Sequence, residues 1–269
     1  MVNRGSEWNK WDLHIHSKAS DGDGSPEQII AAAKEKNIDV IALTDHHTAK
    51  YIDETKKQGE QEKIKVISGI EFRSEYGEKS VHFIGLFPDS HNGIVLNSKA
   101  LHELILSPLG LSETIINIKG REQNSGTLDD DQALREGMFL VQVDFKNAAN
   151  LIHQYGGLVV VHAGSKANSL DLEVKHQGNG PRNTKELYDS LGTLKEELFK
   201  DGYIDICEIR KENDSQEFYL SKFNKPSKLL VPGTTSTIST GIAKRGFQDL
   251  ISGKPVPCTL STKSTTTSF

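Results

Sequence analysis

The residues able to do chemistry are histidines and carboxylates that recur at the ends of short apolar runs. His14 and His16 lie two apart in "WDLHIHS". In an extended strand, side chains two apart point to the same side, so both imidazoles can address one point in space. Asp21 and Asp23 follow closely in "SDGDG". Asp45 and His46 end the run "LTDHH"; Glu71 sits in "SGIEF", His82 in "VHFIG" and His162 in "VVVHAG". A lone strand histidine is an ordinary core or edge residue, and a His-x-His pair by itself is ambiguous. Burying so many imidazoles and carboxylates with neither ion nor partner would cost on the order of several kcal/mol per group. Together they point to a site for two or three divalent ions. Mixed nitrogen and oxygen ligands suit zinc, manganese or iron and argue against a pure magnesium cage. His47 reads as a neighbour of such a site. His91, His102 and His153 read as structural or solvated, and His176 falls in a long loop.

Such groups need elements to carry them. Short runs rich in β-branched residues alternate with segments of helical period, the signature of βα units. "WDLHIHS", "DVIALTD", "KVISGIEFRS", "KSVHFIGLF", "GLVVVHAG", "YIDICEIR" and "SKLLVPGTT" make about seven strands, the third and fourth joined by "EYGE" and paired. "SPEQIIAAAKEKN" is a helix with Ser25 as N-cap and Pro26 at its first position. "TAKYIDETKKQGEQE", "FKNAANLIHQYG", "TKELYDSLGTLKEELFK" and "DSQEFYLSKF" are further helices. Residues 88–143 are partly helical, with "REQNSGTLDDD" expected as an exposed loop; "SKANSLDLEVKHQGNGPRN" is expected as a loop near the active face. In a barrel of parallel strands the C-terminal strand ends converge on one face, where catalytic groups gather.

The ordered phrases "DLHIHS", "SDG", "LTDHH", "GIEF", "VHFIGL" and "VVVHAG" resemble those of the PHP (polymerase and histidinol phosphatase) domains, metal-dependent phosphoesterases. The resemblance is tight over roughly the first 165 residues and loose thereafter. It implies an α/β fold, a distorted (β/α)7 TIM-like barrel over 1–258, with insertions near 108–138 and 165–183 and a disordered tail at 259–269. It also implies that His14 and His16 bind one metal, that Glu71 bridges two, that His82 and His162 hold a neighbouring ion, and that Asp21 and His46 serve a third. Asp23 competes with Asp21 for that role. Members usually close the site with a late Asp-x-His. Here the place after "KLLVP" reads "GTTSTISTG", with neither Asp nor His between Asp214 and Asp249. The opening "RGSEWNKWDLHIH" resembles PHP domains fused to AAA or SMC-like ATPases, which implies an ATPase partner and a role in phage defence or DNA processing. The chain has no GxxxxGK[ST] loop, so such an ATPase would lie elsewhere.

The activity implied is hydrolysis of a phosphoester in nucleic acid or a nucleotide-like substrate. Asp45 and His46 are its candidate catalytic groups, and Arg73, Lys166 and Arg210, each near a strand end, are candidate phosphate-binding residues. The alternative suggested by the missing Asp-x-His is an impaired PHP-like module that binds nucleic acid or a partner ATPase. A barrel hydrolase acting on a C–N bond is a third reading. No stretch of the 269 residues reaches the roughly 18–20 apolar residues of a membrane span, and the N-terminus lacks a signal-peptide core, so a cytoplasmic location is expected. Cys207 and Cys258 form no CxxC pair, which excludes a disulfide framework or zinc ribbon. A net charge of −5 gives no global attraction to nucleic acid. Residues 224–269 differ, carrying Lys225, Lys228, Lys244, Arg245, Lys254 and Lys263 against Asp249, as a solvated tail or a nucleic-acid contact.

Overall fold

The computed structural model describes residues 10–77, 79–123, 128–164, 166–173, 197–209, 229–232 and 238–239. The β-branched runs form β1 (Lys10–Ile15), β2 (Val40–Leu43), β3 (Lys65–Arg73), β4 (His82–Phe87), the short β5 (Ser90–His91) and β6 (Ile94–Val95), β7 (Leu158–His162), β8 (Ile206–Ile209), β9 (Leu229–Pro232) and β10 (Ile238–Ser239). Strands β2 and β4 are buried along their whole length, as sheets covered on both faces require. One face carries a large core that includes Ile41, Leu43, Ile70, Phe72, Phe83, Phe145 and Ile152. The other carries a smaller cluster of Trp11, Leu13, Val40, Ala42, Ile67, Ile84, Leu86, Val160 and Ile206.

The helices follow the expected pattern. In α1 (Pro26–Glu35), Ser25 caps the first turn, its hydroxyl accepting from the Gln28 amide while its own N–H donates to Gln28 Oε1 at 2.9 Å. Helix α2 (Ile52–Glu62) ends at Lys63 in the left-handed region. Helix α6 (Phe145–Gln154) is capped by Asp144 and buries Phe145, Ala148, Ala149 and Ile152.

Sheet topology departs from the expected barrel. The order is β10-β1-β2-β3-β4-β7-β8-β9, and among the described residues β10 and β9 stand at opposite ends without pairing to each other. Among the described residues the strands make a mixed, curled half-barrel sheet rather than the all-parallel sheet expected of the barrel. Strand β4 runs antiparallel to both β3 and β7 because the short link through "EYGE" cannot make the crossover of a dozen or more residues that a parallel neighbour demands.

Residues 88–143 are more helical than expected. Helix α3 (Ser98–Leu101) runs into a π turn (His102–Leu106) and a 3-10 turn (Ser107–Leu109). Helices α4 (Glu113–Gln123) and α5 (Asp130–Met138) then pack on each other, and Asp129 caps α5, so of the stretch "REQNSGTLDDD" residues 121–123 end α4 and 130–131 begin α5, while 124–127 lie outside the described residues. Their backbones touch at two glycines. A methyl group at Gly137 would sit 1.8 Å from the carbonyl oxygen of Ile116, and one at Gly120 1.9 Å from that of Ala133. Gly137→Ala is therefore expected to destabilise the protein by roughly 1–3 kcal/mol through overpacking. Thermal denaturation checks this, and an unchanged melting temperature would contradict the close packing. The short helix α7 (Leu170–Glu173) and the helical residues 197–200 complete the described helices. The expected loop at 165–183 is described only for 166–173; residues 174–183, the helices over 184–196 and 214–223, and the tail lie outside the described residues.

Candidate metal centre

The polar cluster forms where the ends of β1, β2, β3, β4, β7 and β8 meet. Its centre is Glu71, on β3, with 1% of its surface exposed. Backbone bonds place His46 beside it: the Glu71 N–H donates to the Asp45 carbonyl at 3.1 Å, and the His47 N–H donates to the Glu71 carbonyl at 3.0 Å. One carboxylate oxygen of Glu71 faces His14 Nε2 (3.0 Å), His16 Nε2 (2.6 Å) and His46 Nε2 (3.6 Å). The other faces His82 Nδ1 (2.8 Å) and His162 Nε2 (3.6 Å). His14 Nε2 and His16 Nε2 are themselves 2.9 Å apart. Ligand atoms about 3 Å from one another are what a single ion with bonds of roughly 2.0–2.1 Å would gather.

Two groups of side chains bring their ligand atoms within 4.8 Å of one another: His14, Glu71 and His162, and His16, His46 and Glu71. Asp21 joins the second group, its carboxylate bonded to His16 Nδ1 and 3.8 Å from His46 Nε2. The loop can turn this tightly because residue 22 is glycine, whose added β carbon would lie 2.2 Å from the His16 carbonyl oxygen. Asp21, rather than Asp23, is the carboxylate brought to His16 and His46. His82 is placed differently. Its Nε2 accepts from the Asn168 side-chain amide at 2.8 Å and its Nδ1 faces Glu71, so it stands in neither group.

His162 gives the strongest test of whether a metal fits. Its Nδ1 must donate to the Ala167 carbonyl (3.2 Å), because a carbonyl cannot donate back. The neutral ring then turns a lone pair at Nε2 toward Glu208 (3.2 Å) and Glu71 (3.6 Å), in a buried position with no hydrogen-bond partner. Burial holds the His162 pKa down despite Glu208. A lone pair facing two carboxylates wants a cation. His46 is similar: burial lowers its pKa to about 4, and its Nδ1 has no partner.

His14 and His16 behave in the opposite way. Burial opposes their charge, yet Glu208 and Glu71 outweigh it at His14 and raise its pKa to about 9, while Asp21 and Glu71 raise His16 to about 10. Burial likewise opposes the charge on Asp21, but His16 holds it down at about 2; Glu71 and Glu208 stay ionised well below the usual range because their histidine neighbours outweigh burial. A metal binds only neutral imidazole, so it must displace the protons of His14 and His16. Metal uptake at pH 7.5 is thus expected to release about two protons and to tighten as pH rises toward 9. Calorimetric titration of the stripped protein in buffers of different ionisation enthalpy reads this directly; heats independent of the buffer would contradict it.

Glu208, on β8, is the residue that motif reading missed. It is 3% exposed, faces His14 Nδ1 at 3.0 Å, and pairs with Lys166 Nζ, itself 3.1 Å from His14 Nδ1. The available signal was an acid inside the apolar run "YIDICEIR", the same signal that picked out Glu71. Asp45 lies elsewhere: it is buried and accepts from the Ser17 N–H (2.7 Å), the Ser17 hydroxyl (2.7 Å) and the Ser20 hydroxyl (2.5 Å). It ties down the loop after β1. Burial raises its pKa, and those hydrogen bonds only partly offset the shift. His47 packs on Phe72 with a left-handed backbone, both ring nitrogens buried without a hydrogen bond. Arg73 donates to the Lys79 carbonyl at 3.4 Å, and its Nε is buried without a partner. Arg210 and the segment "GTTSTISTG", apart from Ile238 and Ser239 in β10, lie outside the described residues.

A mixed sheet gathering histidines and carboxylates at its strand ends defines a metal-dependent class of protein. The family model of the PHP domain matches residues 12–200, and the chain belongs to that family. Among curated relatives, a 5'-3' exoribonuclease of Haemophilus influenzae is 31% identical over 140 residues, covering 50% of this chain and 51% of its own. A 3',5'-nucleoside bisphosphate phosphatase of Chromobacterium violaceum is 33% identical over 75 residues, 28% of this chain and 26% of its own. The chain thus spans about half the length of the first and about a quarter of the second. Among solved structures, an amidohydrolase from Chromobacterium violaceum with bound sulfate aligns with a TM-score of 0.54 at 17% identity, over 83% of this chain and 86% of that one. A Bifidobacterium adolescentis protein provisionally classed as a metal-dependent phosphoesterase aligns at 0.53 with the same coverage and identity. These likenesses show the shared fold.

Proposed function

We propose that this protein is a hydrolase, a metal-dependent phosphoesterase acting on nucleic acid or a nucleotide. The observation that carries this reading is His162 Nε2, which meets Glu71 and Glu208 beside a space that His14, His16 and His46 also line. The named relatives, an exoribonuclease and a nucleoside bisphosphate phosphatase, support the substrate class. His14, His16, Asp21, His46, Glu71 and His162 would hold the ions, with His82 completing the Glu71 side. Bound divalent ions would supply a water acidified toward neutrality and charge to balance the phosphoryl oxygens.

The chain's own groups do the rest. Glu208 orients His14 through Nδ1, leaving Nε2 to face the centre. The Ala167 carbonyl fixes the His162 tautomer in the same way. Lys166, whose ammonium lies beside Glu208 and His14, is the cation best placed to meet a substrate phosphate. Arg73 and Arg210 remain candidates for a more distant phosphate. His46, buried and held at a pKa of about 4, stays neutral and is suited to hold an ion rather than to accept a proton; Asp45 steadies the loop beneath it. A link to a partner ATPase, and through it to phage defence, rests on the resemblance of the opening residues alone. No helix among the described residues is long and apolar enough to cross a membrane.

The test is metal analysis of the purified chain together with Mn²⁺-supported hydrolysis of single-stranded RNA, single-stranded DNA and adenosine 3',5'-bisphosphate, wild type against His14→Ala. Turnover that the variant loses is expected. Binding of RNA without turnover would favour the alternative of an impaired binding module, in line with the missing Asp-x-His; no metal and no turnover would overturn the enzyme reading.

A further inference from the structure

Helix α5 ends at Phe139, and this ring is the one aromatic among the large exposed apolar side chains of the described residues, with 39% of its surface exposed. Its position is held by the backbone rather than by core packing: the Phe139 N–H donates to the Glu136 carbonyl at 3.1 Å, and the Leu140 N–H to that of Gly137 at 2.9 Å. One edge of the ring meets His46, with centroids 5.7 Å apart and planes at 64°. His46 in turn faces Asp21 and Glu71, so the exposed ring stands one side chain from the ligand cluster.

Cations lie on α5 and on the loops after β1 and β2. Arg135, one turn earlier on α5, donates to the Lys18 carbonyl at 3.3 Å and so ties α5 to the loop after β1. The Lys18 and Lys50 ammonium groups lie 5.8 Å and 5.9 Å from the centre of the Tyr51 ring, just after His46 and His47. Lys18, Lys50 and Arg135 are all exposed. Glu27, at the start of α1, is an acid near Lys18. An exposed ring one turn from Arg135, on a helix tied to the loop that carries Lys18 and beside a centre suited to phosphate, fits single-stranded nucleic acid: rings stack bases while cations follow the backbone.

We propose that Phe139 is the stacking platform for the nucleobase of the nucleotide whose phosphate enters the His–Glu centre, with Lys18, Lys50 and Arg135 holding the adjoining phosphates. This inference rests on the phosphoesterase reading for the identity of the ligand. It makes Phe139 a specificity-determining residue, selecting phosphoesters that carry a base. A ring that only shielded His46 would affect all substrates alike.

The test uses a 3'-fluorescein single-stranded RNA trimer and a trimer of abasic sites with the same label. Affinity is read by anisotropy in EDTA at fixed ionic strength, and cleavage is read with Mn²⁺. Wild type is expected to prefer the base-bearing trimer by about 5- to 150-fold in affinity, the range that one stacked base confers. Phe139→Ala should lose most of that preference, Phe139→Leu should lose it while keeping apolar bulk and fold, and Phe139→Trp should retain it. Absence of the preference in wild type, or its survival in Phe139→Leu, overturns the platform. If both trimers are bound and cleaved alike, the platform fails and the phosphoesterase reading stands. If the preference depends on Phe139 but neither trimer is cleaved, the phosphoesterase reading fails and the platform stands.

Discussion

Glu71→Gln is expected to lower phosphoester hydrolysis by roughly a thousandfold or more and to strip the protein of bound metal. Glu71 is the one side chain common to both ligand groups, and its two oxygens divide His14, His16 and His46 from His82 and His162. Metal catalysis of this kind supplies several kcal/mol of barrier lowering, and each ~1.4 kcal/mol is a factor of ten in rate. The substitution also removes a buried negative charge that holds His14 and His16 protonated in the metal-free protein. Breaking such a buried pair costs about 3–5 kcal/mol. The metal-free variant should therefore melt well below the metal-free wild type, while the isosteric amide keeps the packing. Atomic absorption, initial rates and thermal melts read the three effects. A variant that keeps its metal and half its rate would remove Glu71 from the centre of the site.

The second large effect is expected at Glu208, which faces two of the candidate ligand histidines. Its carboxylate meets His14 Nδ1 at 3.0 Å and His162 Nε2 at 3.2 Å, and it pairs with Lys166. A carboxylate behind a ligating imidazole sets its tautomer and orientation, and losing it typically costs 10- to 100-fold in metal affinity or activity. Glu208→Gln should show a fall of about that size in metal affinity, with Lys166 left beside a neutral amide. Lys166→Met tests the other half of the pair: it should raise KM for phosphoesters more than it lowers metal affinity. Equal metal affinity in Glu208→Gln and wild type would make this carboxylate a structural ion-pair partner only.

Much of the site was legible because strand residues alternate and motifs are local. His14 and His16 share a strand face by spacing alone, and Glu71, His82 and His162 announce themselves as polar residues inside apolar runs. The capping of α1 by Ser25 and the pairing of β3 with β4 are equally local, set by a side chain three residues from its partner and by a short turn. What escaped was set by long-range contact. Glu208 is an acid in an apolar run like Glu71, but it lies 194 residues from His14, and only the fold brings the two together. The choice between Asp21 and Asp23 turned on which carboxylate the Gly22 turn brings to His16. The role of Asp45 was likewise invisible, since the serines that claim it come from 25 and 28 residues away.

The sequence by itself determined the kind of chemistry, the family phrases and the elements that bear them, because residue type, spacing and hydrophobic period are properties of the local chain. Only the tertiary structure decided that the described strands form a mixed sheet, that α4 and α5 close on each other through Gly120 and Gly137, and that Phe139 ends beside His46. It also decided the charge states. The same imidazole is pushed to about 10 at His16 and to about 4 at His46, because burial and the placement of carboxylates, not residue identity, set the balance between desolvation and attraction.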